Sequence, residues 1–254
     1  MGRLFREAWA VVLATGRAGQ DPSLLSAGLA RALAVAAGTR VISVVTQAPG
    51  SETGRLPAGV IAQPADRGSA ESLLLALQAV AAHDRDATLA VFPTDHFVRD
   101  EATLAEAMRD ALELAKARSD MVYLLGMEPD HPRGGGSLIV PRHRGGSGAS
   151  RVARFVAAPN LTEARAVHDE GGLWNTLMLA ASLRALLGLY ERHGNRAPSD
   201  LTRDVLAGQE DKLRVLPVAH CGWDETAPSS EAAPTLRQKR ASSYGGSMRL
   251  DAAD

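Results

Sequence analysis

The sequence predicts an α/β domain built on a mixed, mostly parallel sheet with helices on both faces. Three observations predict it. Short apolar runs alternate along the chain with helical patterns of ten or more residues. The earliest runs show no polar alternation, as in strands buried on both faces. The 254 residues are 45% apolar and 22% charged, which is enough for one large core.

Residues 9–14 (WAVVLA) read as the first buried strand, and residues 15–20 as a turn. Asp21 and Pro22 have the character of an N-cap and a first helical position. Leu24, Leu25, Leu29, Leu33 and Ala36 then recur at helical spacing, which predicts a helix over 22–37. The β-branched run 40–46 (RVISVVT) reads as a strand. A loop with Pro49, Gly50 and Gly54 leads to a short strand at 59–63 and a helix over 69–82. Residues 87–92 (ATLAVF) form another buried strand, ending at Pro93-Thr94-Asp95-His96. An amphipathic helix over 101–117 and a strand over 120–126 follow.

Residues 130–150 are rich in Gly, Pro, Arg and His, and read as loops around a short strand near 137–140. Residues 151–156 alternate polar and apolar as a strand with one solvated face. Helices are expected over 161–170, 181–193 and 199–207, and a last strand over 213–218. The reading gives one domain over 1–223 and a polar, aperiodic tail over 224–254.

Bulk properties exclude several classes. Net charge is −1, so no basic field points to nucleic acid or an anionic membrane. One cysteine, Cys221, allows neither an internal disulfide nor a cysteine zinc site. No run reaches the roughly 20 apolar residues of a membrane span. Arg3 and Arg6 before Ala8 to Ala14 imitate a poor signal peptide, but the following turn and helix favour a buried strand. A cytoplasmic location is the expectation, and the oligomeric state is left open.

In parallel sheets ligands bind beyond the carboxyl ends of the strands. Asp95 lies there, three residues past the 87–92 strand. A carboxylate in that place suits Mg²⁺ held against nucleotide phosphates, or a plain turn. His96 beside it is a general base by position, or a structural histidine. The link Ala14-Thr15-Gly16 can turn backbone N–H groups toward phosphate, though its spacing matches no nucleotide fingerprint. Gln63, Arg67 and Gly68 link a strand to a helix, with Arg67 available to an anion and Ser69 as a helix cap. Asn175 offers donor and acceptor to a hydroxyl. Asp224 follows the last strand and is a second metal carboxylate by position, or a solvated tail residue.

The ordered series WAVVLA, QPADRGSAESLLLAL, VFPTDHFV, LLGMEPDHP, VARFVAAPN, GLWNTLML and LPVAHCGWD resembles that of the sugar-1-phosphate nucleotidyltransferases, above all the mannose-1-phosphate guanylyltransferases. The most specific pieces are PTDH at 93–96, QP…RGSA at 63–70 and WN at 174–175. The resemblance implies a Rossmann-like nucleotidyltransferase core. It implies a nucleoside triphosphate and a sugar-1-phosphate as substrates, a nucleotide-sugar and pyrophosphate as products, and Mg²⁺ as cofactor. Asp95 and Asp224 would hold the metal, with Asp95 catalytic. Ala14, Thr15, Gly16, Gln63, Arg67 and Gly68 would line the nucleotide, and Asn175 would meet the sugar.

The chain departs from the family pattern where phosphate is handled. The family's first loop, roughly GGxGTRLxPLS running on to a PKQ-type lysine, is LATGRAGQDPS here, and no lysine precedes Lys116. FVEKP is FVAAP, with Ala157 and Ala158 replacing Glu and Lys. One lost charge-stabilising group typically costs about 3 kcal/mol in the transition state. Two readings follow: an active, minimal guanylyltransferase-like enzyme, or a weak or inactive nucleotide or nucleotide-sugar binding paralogue. A dinucleotide oxidoreductase is disfavoured by the missing glycine fingerprint.

Overall fold

A computed structural model describes residues 7–15, 21–46, 59–63, 65–143, 148–193 and 197–224. In chain order the strands are β1 (Trp9–Ala14), β2 (Val41–Thr46), β3 (Gly59–Gln63), β4 (Thr88–Pro93), β5 (Val122–Met127), β6 (Ser137–Pro141), β7 (Ser150–Ala157), β8 (Leu173–Ser182) and β9 (Leu213–Val218). The α-helices are α1 (Pro22–Val35), α2 (Gly68–Ala81), α3 (Glu101–Ala117), α4 (Leu161–Asp169) and α5 (Leu183–Tyr190). The strands make one sheet in the order β3-β2-β1-β4-β8-β5-β9-β7-β6.

The sheet is mixed. Its parallel ladders are confined to β3-β2-β1-β4 and to β5-β9. β8 runs antiparallel to β4 and β5, and β7 runs antiparallel to β9 and β6. β6 also pairs with β8, so the last five strands curl back on themselves.

Side-chain alternation along β1 sends Ala10 and Val12 into one core cluster and Trp9, Val11 and Leu13 into another. The first cluster holds residues of α1 and α3, the second residues of α2 and α5. Burying an aromatic or aliphatic side chain such as Phe92 or Leu89 stabilises the fold by about 1.5–3 kcal/mol each.

Local signals explain the helix starts. Asp21 accepts from the Ser23 amide with Pro22 in the first turn, as expected from sequence. Asp100 caps α3 through the Ala102 and Thr103 amides. Asn160 and Glu163 make a reciprocal capping box on α4. Such a cap is worth about 1 kcal/mol.

Three sequence expectations need correction. Strand β8 is absent from the sequence reading: its Leu, Met and Ala residues favour helix by propensity, and burial on both faces erases the period of two that marks a strand. The helix expected over 199–207 is a π-helical turn, Leu201–Leu206. Ser69 does not cap α2; its Oγ accepts the Leu201 amide, while the Ala70 amide donates to the Ser199 carbonyl. Gly68, at φ +85°, makes that contact possible, because a Cβ there would run into the Ser199 carbonyl oxygen.

Candidate active site

The carboxyl ends of β1 and β4 lie side by side. The Thr94 amide donates to the Leu13 carbonyl at 3.2 Å, tying the PTDH segment to the end of β1. On the helix side, α1 comes so close that a Cβ on Gly28 would sit 2.8 Å from the Thr94 methyl. The loop after β4 is therefore held from two directions.

That loop is stitched to the chain beyond β9. Phe97 and Asp224 exchange backbone hydrogen bonds, each 2.9 Å. The Trp223 indole N–H donates to His96 Nδ1 at 3.0 Å. An indole nitrogen can only donate, so Nδ1 is the acceptor and Nε2 carries the ring proton. Nε2 lies 3.1 Å from Asp95 Oδ1 and donates to it.

Burial pushes His96 down to about 4, against the upward pull of the Asp95 carboxylate and with a further downward push from Arg31. The ring is neutral at physiological pH and both its nitrogens are engaged. His96 orients Asp95 and has no lone pair for general-base work.

Asp95 itself is open, its side chain 57% exposed. Arg31 supports the loop from below. Its Nε and Nη2 bind Glu101, and Nη2 also donates to the His96 carbonyl. Its buried Nη1 has no partner among the described residues.

Asp224 Oδ1 accepts from Arg133 Nη1 at 3.2 Å. The Arg133 guanidinium sits over Trp174, 4.8 Å from its ring centre, and 6.0 Å from that of Trp223. A cavity of about 90 Å³ is lined by these four residues with Glu128 and Cys221. A larger one of about 730 Å³ lies beside it, lined by residues such as His143, Arg151, Leu173 and Arg214, and does not include Asp95 or Asp224. The smaller cavity includes Asp224 but not Asp95; the backbone bridge between Phe97 and Asp224 is what brings their two segments together.

Next to Trp174, Asn175 is buried in β8. Its amide nitrogen donates to Thr202 Oγ1 at 2.8 Å and to Ser137 Oγ at 3.3 Å, and its Oδ1 accepts the Leu177 amide. Both amide hydrogens are spent within the protein. Ser137 and Thr202, which sequence reasoning passed over, carry the hydroxyl hydrogens left at this point.

At the β3–α2 link, Gln63 is buried and its Oε1 accepts from Ser72. Gln63 Nε2 and Thr46 Oγ1, on register-paired residues of β3 and β2, have no partner among the described residues. Arg67 is exposed and paired with Glu71 at 2.7 Å. Gly68 donates its amide to Asp66.

Ala14 is buried at the end of β1, Thr15 follows it partly exposed, and Gly16 lies outside the described residues. Parallel pairing puts the ends of β3, β2, β1 and β4 on one edge of the sheet. No hydrogen bond or ion pair among the described residues joins Gln63, Arg67 or Gly68 to the Asp95 group.

Asp95 and Asp224 lie on hydrogen-bonded neighbouring segments, and each offers carboxylate oxygens, with Asp95 open to solvent. Mg²⁺ takes one or two protein carboxylates beside phosphate and water. No group of three or more His, Cys, Asp or Glu among the described residues could enclose a metal by itself. Oxygen donors of this kind are chemically suited to Mg²⁺ that takes its remaining ligands from phosphate and water.

Comparison with known proteins decides the family. Residues 23–223 match the family model described as nucleotidyl transferase. The chain belongs to the nucleotidyl transferase family. The chain is 30% identical over 128 residues to the xanthan biosynthesis protein XanB of Xanthomonas campestris pv. campestris strain B100, a match that covers 50% of this chain and 27% of that protein. It is 32% identical over 131 residues to a mannose-1-phosphate guanylyltransferase of Escherichia coli K12, over 49% of this chain and 27% of the relative. The chain thus spans about a quarter of these relatives' length.

A solved structure described as a mannose-1-phosphate geranyltransferase of Thermus thermophilus superposes with a TM-score of 0.73 at 22% identity, over 86% of this chain and 76% of that one. That likeness speaks for the fold of the chain. Among its described residues no helix is long and apolar enough to cross a membrane.

Proposed function

We propose that this chain transfers a nucleotidyl group from a nucleoside triphosphate to a sugar-1-phosphate, as a mannose-1-phosphate guanylyltransferase does. The observation that carries the reading is the Phe97–Asp224 bridge, which sets Asp224 beside the loop bearing Asp95. In this reading a phosphate oxygen of the sugar phosphate attacks the α-phosphorus. The bond from that phosphorus to the bridging oxygen breaks, and pyrophosphate leaves with the electron pair.

Asp95 and Asp224 would hold Mg²⁺, which when bound neutralises charge developing on the phosphates. His96 and Trp223 keep Asp95 in one orientation. Ala14, Thr15 and Gly16 would pass the triphosphate along the end of β1. Gln63 would offer its unpartnered amide N–H to the nucleotide, with Arg67 and Gly68 at the rim. The sugar would meet the Ser137 and Thr202 hydroxyls that Asn175 holds in place.

A second reading is favoured by a separate observation. Asn175 has no amide hydrogen to spare, and Ala157 and Ala158 offer the sugar phosphate no charge. On those grounds the cleft binds a nucleotide or nucleotide-sugar with little turnover. Pyrophosphate release with Mg²⁺, GTP and mannose-1-phosphate, repeated over other nucleotides and sugar phosphates, separates the two. Release above background supports transfer. No release from any pair, together with a thermal shift from GDP-mannose, leaves binding alone.

A further inference from the structure

We infer that Arg133 is a phosphate-binding cation of this cleft, parked on Asp224 until a divalent cation takes that carboxylate. The inference rests on the proposed metal role of Asp95 and Asp224. Arg133 lies in the Gly- and Pro-rich stretch after β5, where nothing in the sequence marks it. The structure gives it an unusual seat. Its guanidinium is stacked over Trp174 and reaches one oxygen of Asp224 through Nη1 alone.

Nε and Nη2 make no hydrogen bond to the described residues, so most of its five N–H donors remain for a ligand. The side chain is 36% exposed and lines the small cavity with Trp223 and Asp224. A guanidinium seated over an indole face is held in place while its remaining N–H groups stay available, which suits bidentate binding of phosphate oxygens.

The contact with Asp224 is the informative one. The arginine and a metal ion would compete for the same carboxylate. An exposed ion pair of this kind is weak, so a divalent cation displaces it readily. The guanidinium then needs a new anion within reach of Trp174, and the phosphate of a metal-bound nucleotide is that anion. One swap thus couples metal occupancy to the presentation of positive charge.

The test uses the whole chain, Mn²⁺ as the metal probe and inorganic pyrophosphate as the phosphate probe. Free Mn²⁺ is counted by electron paramagnetic resonance, and pyrophosphate binding is measured by calorimetry at saturating Mn²⁺. In Arg133→Gln, Mn²⁺ alone should bind roughly two- to fivefold tighter, because one competitor for Asp224 is gone. Pyrophosphate should then bind about tenfold weaker or worse, because a charge-assisted pair is lost. Arg133→Lys should recover part of the pyrophosphate affinity.

Mn²⁺ binding that is unchanged, or pyrophosphate binding that survives Arg133→Gln, overturns the inference and leaves the carboxylate reading standing. Failure of either protein to bind Mn²⁺ sinks the carboxylate reading and this inference with it. Near-UV circular dichroism of the variants reports whether the Trp174–Trp223 packing is kept. A fall in pyrophosphate affinity only in a variant that has lost this packing also counts against the inference.

Discussion

At the scale of single residues, the site depends on a neutral histidine. His96 titrates near 4 in the folded chain against an ordinary 6.5. As pH falls, the unfolded chain takes up the proton first. This contribution to stability is whole above 6.5, declines between 6.5 and 4, and below that has cost roughly 3 kcal/mol. Urea unfolding at pH 7 and pH 4 should show that loss in the wild type and a smaller one in His96→Gln. Equal losses in the two proteins would contradict the assignment.

Ala158 gives a second residue-scale prediction. It is exposed and sits at φ +43°, a conformation that L side chains rarely adopt. Ala158→Gly should raise stability by about 0.5–1 kcal/mol, since glycine escapes the left-handed penalty. The midpoint of chemical denaturation reports it, and a lower midpoint would be the opposite result.

At the scale of elements, the parts legible in the sequence are those with local signals. The cap Asp21, the β-branched run of β2 and the strong amphipathic pattern of α3 all announce their elements. β8 has no such signal. It is ten residues of mostly apolar side chains whose strand form comes from pairing with β4, β5 and β6. Its reversed direction adds antiparallel ladders on both sides to a mixed sheet that the sequence predicts as mostly parallel.

The π-helical turn at Leu201–Leu206 is illegible for the same kind of reason. Its seat is set by distant partners, Asn175 through Thr202 and α2 through Ser69. Gly68 is the hinge of that arrangement. Gly68→Ala should destabilise by about 2 kcal/mol or more, combining an unfavourable φ with a clash against the Ser199 carbonyl. Thermal unfolding of this variant checks it, and a wild-type midpoint would show that the 199–206 segment yields freely.

At the scale of the molecule, the candidate site is half legible. Asp95 and Asp224 stand out because acidic residues just past buried strands fall where such sheets bind ligands. Their partners do not stand out. Arg133 and Trp223 meet Asp224 and His96 only in a fold that returns the chain after β9 to the loop after β4, and His96, legible beside Asp95, changes from a base to an orienting group because Trp223 takes its Nδ1. Asn175 is legible as a polar residue in an apolar run, yet its two donors turn inward to Ser137 and Thr202. Sequence position identifies a residue near a site; its hydrogen bonds within the fold decide what it has left to give.

The central claim is that Asp95 and Asp224 act on one shared metal–phosphate ligand. A double-mutant cycle tests it most directly, with the Mg²⁺-dependent gain in GTP affinity measured by calorimetry in the wild type, Asp95→Asn, Asp224→Asn and the double variant. Residues serving one ligand couple strongly, while independent sites add. The account predicts that each single change removes most of the Mg²⁺-dependent gain and that the double variant is scarcely worse than either. A gain that survives both single changes, or losses that simply add, would contradict it.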